Sequence, residues 1–107
     1  MEVMRQGDVL LVPTSEVPAG REVKTADGRV ILAYGEVTGH AHAFAKEIAQ
    51  LGTVVHTRTK NGREFLQVVE EAPLVHEEHD TVVVAPGCYE VRRQVEYSPE
   101  EIRNVAD

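Results

Sequence analysis

The chain has 107 residues and a formal net charge of −7, which fits one domain and argues against non-specific nucleic acid binding. No long Lys/Arg run offsets that charge, so a small polar ligand or another protein is the easier partner. A single cysteine, Cys88, excludes an intrachain disulfide, and no apolar run reaches the length of a signal peptide or a membrane span, so a soluble cytoplasmic protein is expected.

Hydrophobic residues make up 42% of the chain, valine is abundant and Trp is absent. A core filled by β-branched side chains favours strands. Met1 to Gly7 reads as a lead-in. Asp8 to Val12 reads as a buried strand stopped by Pro13, and Thr14 to Gly20 as a loop. Arg21 to Thr25 fits a short edge strand. Asp27-Gly28 between apolar flanks is a hairpin signal, and Arg29 to Ala33 begins a strand that can run on through Gly35.

The next stretch concentrates the chemistry: Tyr34-Gly35-Glu36-Val37-Thr38-Gly39-His40-Ala41-His42. Read as a strand, it puts Glu36, Thr38, His40, His42 and Phe44 on one face and small apolar residues on the other. Two imidazoles of a His-x-His strand stand roughly 7 Å apart at Cα, a spacing that two ligands of one metal ion can use. Glycines 35 and 39 suggest a bulge or bend beside these groups.

Ala43 to Leu51 fits either a helix stopped by Gly52 or a continuing strand. Thr53 to Thr59 is β-prone, Asn61-Gly62 is a strong hairpin signal, and Glu64 to Glu70 returns as its partner. Pro73 interrupts, and a second polar knot follows, His76-Glu77-Glu78-His79-Asp80. Its two histidines come together only if this segment turns. Thr81 to Ala85 is a valine strand closed by Pro86-Gly87, and Cys88 to Tyr97 is the last long strand. In it Arg93 breaks the apolar alternation and is expected to approach a carboxylate. Ser98-Pro99-Glu100-Glu101 reads as the start of a short C-terminal helix. Seven to nine short strands with frequent turns predict an all-β domain over residues 1–107, a small β-barrel or β-sandwich.

Two imidazole pairs meeting in one pocket would make a metal site. The candidate ligands are His40, His42, His76 and His79, with Glu36 as a ligand-orienting group or general base. Zinc is the first choice for such a donor set. An open coordination position would suit a metal-dependent hydrolase. The alternative is a non-enzymatic homo-oligomer or interaction module whose histidines line an interface, since exposed strand edges favour assembly. His56, mid-strand, reads as a paired strand histidine, and Cys88 as an inert thiol.

The set Arg5-Gln6-Gly7-Asp8, Gly35 to His42, His76-Glu77-Glu78-His79 and Arg93 to Pro99 resembles a family of small uncharacterised bacterial and phage proteins over nearly the whole chain, a resemblance that implies no activity. Gly35, His40, His42, Glu47 and Gly52 also resemble the first motif of cupins, small barrels that often hold a metal. That resemblance implies Glu47 as a further ligand. The chain departs from the motif in two gap lengths, and no histidine follows Pro86-Gly87 as the second cupin motif requires.

Overall fold

The computed structural model describes residues 2–35 and 37–94. Glu36, the end of the last expected strand and the helix start at Ser98-Pro99 lie outside the described residues. The described chain is nearly all β: β1 (Met4–Gln6), β2 (Val9–Thr14), β3 (Arg21–Glu22), β4 (Val30–Tyr34), β5 (Ala41–Phe44), α1 (Lys46–Gln50), β6 (Val54–Arg58), β7 (Glu64–Val68), β8 (Ala72–Leu74), β9 (Val82–Val84) and β10 (Gly87–Arg93). Six strands form one antiparallel sheet in the order β1-β2-β10-β7-β6-β3. β4-β5 and β8-β9 form two pairs, joined by a bridge between Ala43 and Val75. β1 and β3 remain the outer strands of the large sheet, so the sheets do not close into a barrel.

One core holds these pieces together. Val9, Leu11, Val54, Leu66, Val68, Tyr89 and Val91 of the large sheet merge with Val30, Leu32, Phe44, Leu74 and Val84 of the two pairs. Tyr89 is fully buried, and its hydroxyl donates to the Ala85 carbonyl at 2.6 Å, which satisfies the one polar atom it brings inside.

Several local expectations change. Residues 4–6 are a strand rather than a lead-in, because Gly7-Asp8 forms a two-residue turn that pairs Gln6 with Val9. β2 runs through Pro13, which pairs with Tyr89. β1 reaches only to Leu11 on the other side, so the missing N–H deprives no partner. Pro73 likewise sits inside β8, exposed and opposite Val83.

Asp27-Gly28 does turn, with the Asp27 carboxylate accepting from the Arg29 N–H at 3.0 Å, but it joins no hairpin. β3 pairs with β6 and β4 with β5. The reason lies in burial: Arg21 and Glu22 are both exposed, whereas Val30 to Ala33 are buried at every position and need cover on both faces.

The segment after Tyr34 reverses rather than extending the strand. Gly35 N–H donates to the His40 carbonyl at 2.7 Å, and Gly39 takes φ +88°, where a side chain would be strained. Thr38, His40 and His42 therefore do not share one strand face. Ala43 to Leu51 divides between the two forms it could take, strand to Phe44 and helix from Lys46, with Gly52 following the helix end. The Asn61-Gly62 hairpin forms as expected between β6 and β7.

Candidate metal centre

Backbone register brings the two histidine segments together. Ala43 and Val75 exchange both main-chain hydrogen bonds, at 3.0 and 2.9 Å. Each step back along β5 then matches one step forward past β8. His42 meets His76, with ring centroids 4.3 Å apart. Ala41 N–H donates to the Glu77 carboxylate at 2.9 Å, and His40 Nδ1 lies 3.2 Å from Glu78 Oε2. That N–H bond holds the Glu77 carboxyl below its ordinary pKa, so at neutral pH a charged group staples the two segments.

The bend at 77–79 then carries His79 back over the same point. Its ring lies 4.6 Å from that of His76 and 5.7 Å from that of His42. His42, His76 and His79 each offer a nitrogen, and the three nitrogens lie within 4.8 Å of one another. His42 and His76 are buried, at 3% and 6% exposure, while His79 faces solvent. His40 stands beside this triad rather than in it, edge-on to His76 at 6.1 Å and paired with Glu78.

Two backbone positions make room for the rings. A Cβ on Gly7 would sit 2.7 Å from His79 Nε2, and one on Gly35 would sit 3.1 Å from His76 Nε2.

Gln6 and Asp8, which the sequence offers as site residues by no signal beyond the Arg5-Gln6-Gly7-Asp8 resemblance, both bear directly on the triad. Gln6 is buried at 3% exposure. Its amide nitrogen donates to the carbonyls of Leu74, at 2.8 Å, and Asp80, at 3.0 Å. Both amide hydrogens are spent there, so the carbonyl Oε1 is the atom that faces His42 Nδ1, at 2.9 Å. An amide carbonyl only accepts, so Nδ1 carries the proton and the lone pair of neutral His42 is on Nε2.

That lone pair sits 3.5 Å from Asp8 Oδ1, while Asp8 Oδ2 accepts from Arg93 at 2.9 Å. Partial burial raises the Asp8 pKa, but the Arg93 hydrogen bond and charge outweigh it and keep the carboxylate ionised. Burial, followed by the charge of His76, pushes the His42 pKa down despite Asp8. A neutral nitrogen lone pair and an anionic oxygen thus face each other, an arrangement that a cation between them would relieve. The Gly-Asp dipeptide between Gln6 and Val9 is itself a two-residue hairpin signal, and reading it would have placed both residues at a strand end.

The other candidates stand apart. Glu47 is exposed on α1 and outside the imidazole group. His56 is a paired strand histidine, its Nε2 2.8 Å from Glu64 Oε1. Cys88 is half-buried and free. The Arg93 carboxylate partner is Asp8.

A family model described as a domain of unknown function, DUF8820, matches residues 5–94, a span that begins at Arg5, one residue before Gln6, and includes every residue of the centre described above. No curated protein and no solved structure matches the chain.

Proposed function

The chain belongs to the DUF8820 family, and we propose that it is a metal-binding β protein in which His42, His76 and His79 hold one divalent ion, zinc before nickel, iron(II) or manganese. The observation that carries this reading is the convergence of three imidazole nitrogens from two distant segments within 4.8 Å. The pre-set tautomer of His42 supports it, because a ligand histidine whose other nitrogen is hydrogen-bonded is already oriented for the metal.

Three protein ligands leave a position open, as in catalytic rather than structural zinc sites. A divalent ion held by His42, His76 and His79 would supply Lewis-acid chemistry suited to hydrolysis. Asp8, anchored by Arg93 and 3.5 Å from His42 Nε2, is the carboxylate that would accept a proton beside the triad.

Metal analysis and zinc calorimetry on tag-free protein test the reading. The expected result is one ion per chain, a raised melting temperature on loading, and loss of both in His42→Ala and His79→Ala. Protein that takes up no ion and gains no thermal stability from zinc, nickel, iron(II) or manganese sets the reading aside.

A further inference from the structure

The net charge of −7 hides a local reversal of sign. A cleft of about 1150 Å³ lies between residues 18–24 and the β6–β7 hairpin, at the opposite edge of the large sheet from β1. Five of the eleven Lys and Arg residues line it: Arg21, Lys24, Arg58, Lys60 and Arg63. Among the described residues Glu22 is the one carboxylate in its lining.

Within this cleft Arg21 and Arg58 stand directly opposite each other in register on β3 and β6. Like charges at a cross-strand position destabilise a sheet, and β3 is too short to offset that with pairing of its own. Neither arginine is neutralised well. Arg58 reaches Glu64 Oε1 only at 3.5 Å, and His56 already takes that oxygen at 2.8 Å. Among the described residues Arg21 has no carboxylate within salt-bridge distance. Arg63 binds Glu90 through Nε at 3.0 Å, and Lys24 is 4.0 Å from Glu22.

From this juxtaposition we infer an anion site in which the cleft binds a compact ligand bearing more than one phosphate group, bridged by the Arg21 and Arg58 guanidiniums. Guanidinium forks match phosphate oxygens, and Lys24, Lys60 and Arg63 supply the surrounding field. Two features favour a compact ligand over a nucleic acid strand. Among the described residues no aromatic side chain lines the cleft to stack on a base, and a longer polyanion would run out over a chain that is acidic overall. The site shares no residue with the histidine centre and stands independently of it.

The test is a titration of the full chain with inorganic tripolyphosphate at low salt, followed by amide NMR and thermal melting. Saturable shifts confined to residues 18–24 and 58–63 are expected, weakening as salt rises. Arg21→Gln and Arg58→Gln should each lower affinity about tenfold, the scale of one charge-assisted hydrogen bond. In the absence of anion, Arg21→Gln should melt no lower than wild type, because the like-charge pair is gone. Vesicles carrying a multiply phosphorylated headgroup separate a lipid source from a free one: binding to them that tripolyphosphate displaces assigns the lipid, and no vesicle binding assigns the free anion. Absence of saturable binding, shifts centred elsewhere, unchanged affinity in both variants, or tighter binding of a short single-stranded DNA would each overturn the assignment.

Discussion

Gln6 donates to two backbone carbonyls and so can only accept from His42. One side chain on β1 therefore sets the proton position of a ring on β5 and ties both to the end of β8 and to Asp80, ahead of β9. Gln6→Leu would take one donor from each of the Leu74 and Asp80 carbonyls, at a cost of about 1–3 kcal/mol for a carbonyl left buried and unpaired. It would also free the His42 ring, and losing an outer-shell partner typically weakens metal binding about 10–100-fold. Denaturant unfolding and zinc competition against a chromophoric chelator measure the two effects separately. Zinc affinity equal to wild type in Gln6→Leu would show that the tautomer lock does not matter to the site.

His76 makes a demand of its own. Its Nδ1 accepts the Glu78 N–H at 3.0 Å, and a neutral imidazole has one lone pair to give. Binding an ion through either nitrogen costs that hydrogen bond. Metal loading should therefore move the Glu78 amide resonance and speed its hydrogen exchange, more than those of Glu77 or Asp80. Stoichiometric zinc uptake with an unmoved Glu78 amide would remove His76 from the ligand set.

Gly7 offers a sharper steric probe. It has φ +57°, and an added Cβ would lie 2.7 Å from His79 Nε2. Gly7→Ala should destabilise the chain by roughly 1 kcal/mol through backbone strain alone and displace the His79 ring. Gly35 lacks the positive φ and has a nearest contact of 3.0 Å, so Gly35→Ala is expected to keep the fold better while disturbing His40 and His76. Zinc affinity should fall in both and fall further in Gly7→Ala. The reverse order would mean that His79 is free to move away without loss.

What could be read from residues alone was largely what depends on local chemistry. The Asn61-Gly62 hairpin, the valine strand at β9 and the all-β class follow from propensity and turn geometry, whereas residues 43–51 fit either helix or strand. A charge on the apolar side of β10 pointed to a carboxylate near Arg93, though not to Asp8 as that carboxylate. Strand partners did not. Asp27-Gly28 turned where expected, yet its flanks joined different sheets, because burial on both faces of β4 outweighed proximity along the chain. The histidine centre was legible as two knots but not as a triad. The register that aligns His42 with His76 depends on the bridge at Ala43 and Val75, and neither residue carries a signal for it. Gln6 was hidden by its position in what read as a lead-in.

His56 gives a pH dependence free of the metal question. It is 1% exposed, and burial lowers its folded-state pKa from 6.5, with Glu64 only partly opposing. Well above pH 6.5 the ring is neutral in both states and its contribution to stability is complete. As pH falls through that value the unfolded chain takes up a proton that the folded chain refuses, so stability drops until the lower folded-state pKa is reached. His42 acts in the same direction. Asp8, Glu77 and Glu90, whose pKa values are lowered, lose their contributions only in a more acidic range, below the ordinary carboxylate values of 3.8 to 4.5. The interval from pH 6.5 to 5 therefore isolates the histidines. Metal-free protein should unfold at lower denaturant concentration at pH 5 than at pH 7.5. His56→Gln, which keeps a donor for Glu64 but has no proton to gain, should show a shallower fall by up to one proton's worth, about 1.4 kcal/mol per pH unit. Parallel curves for the two proteins would show that His56 titrates alike in both states and that its burial carries no such cost.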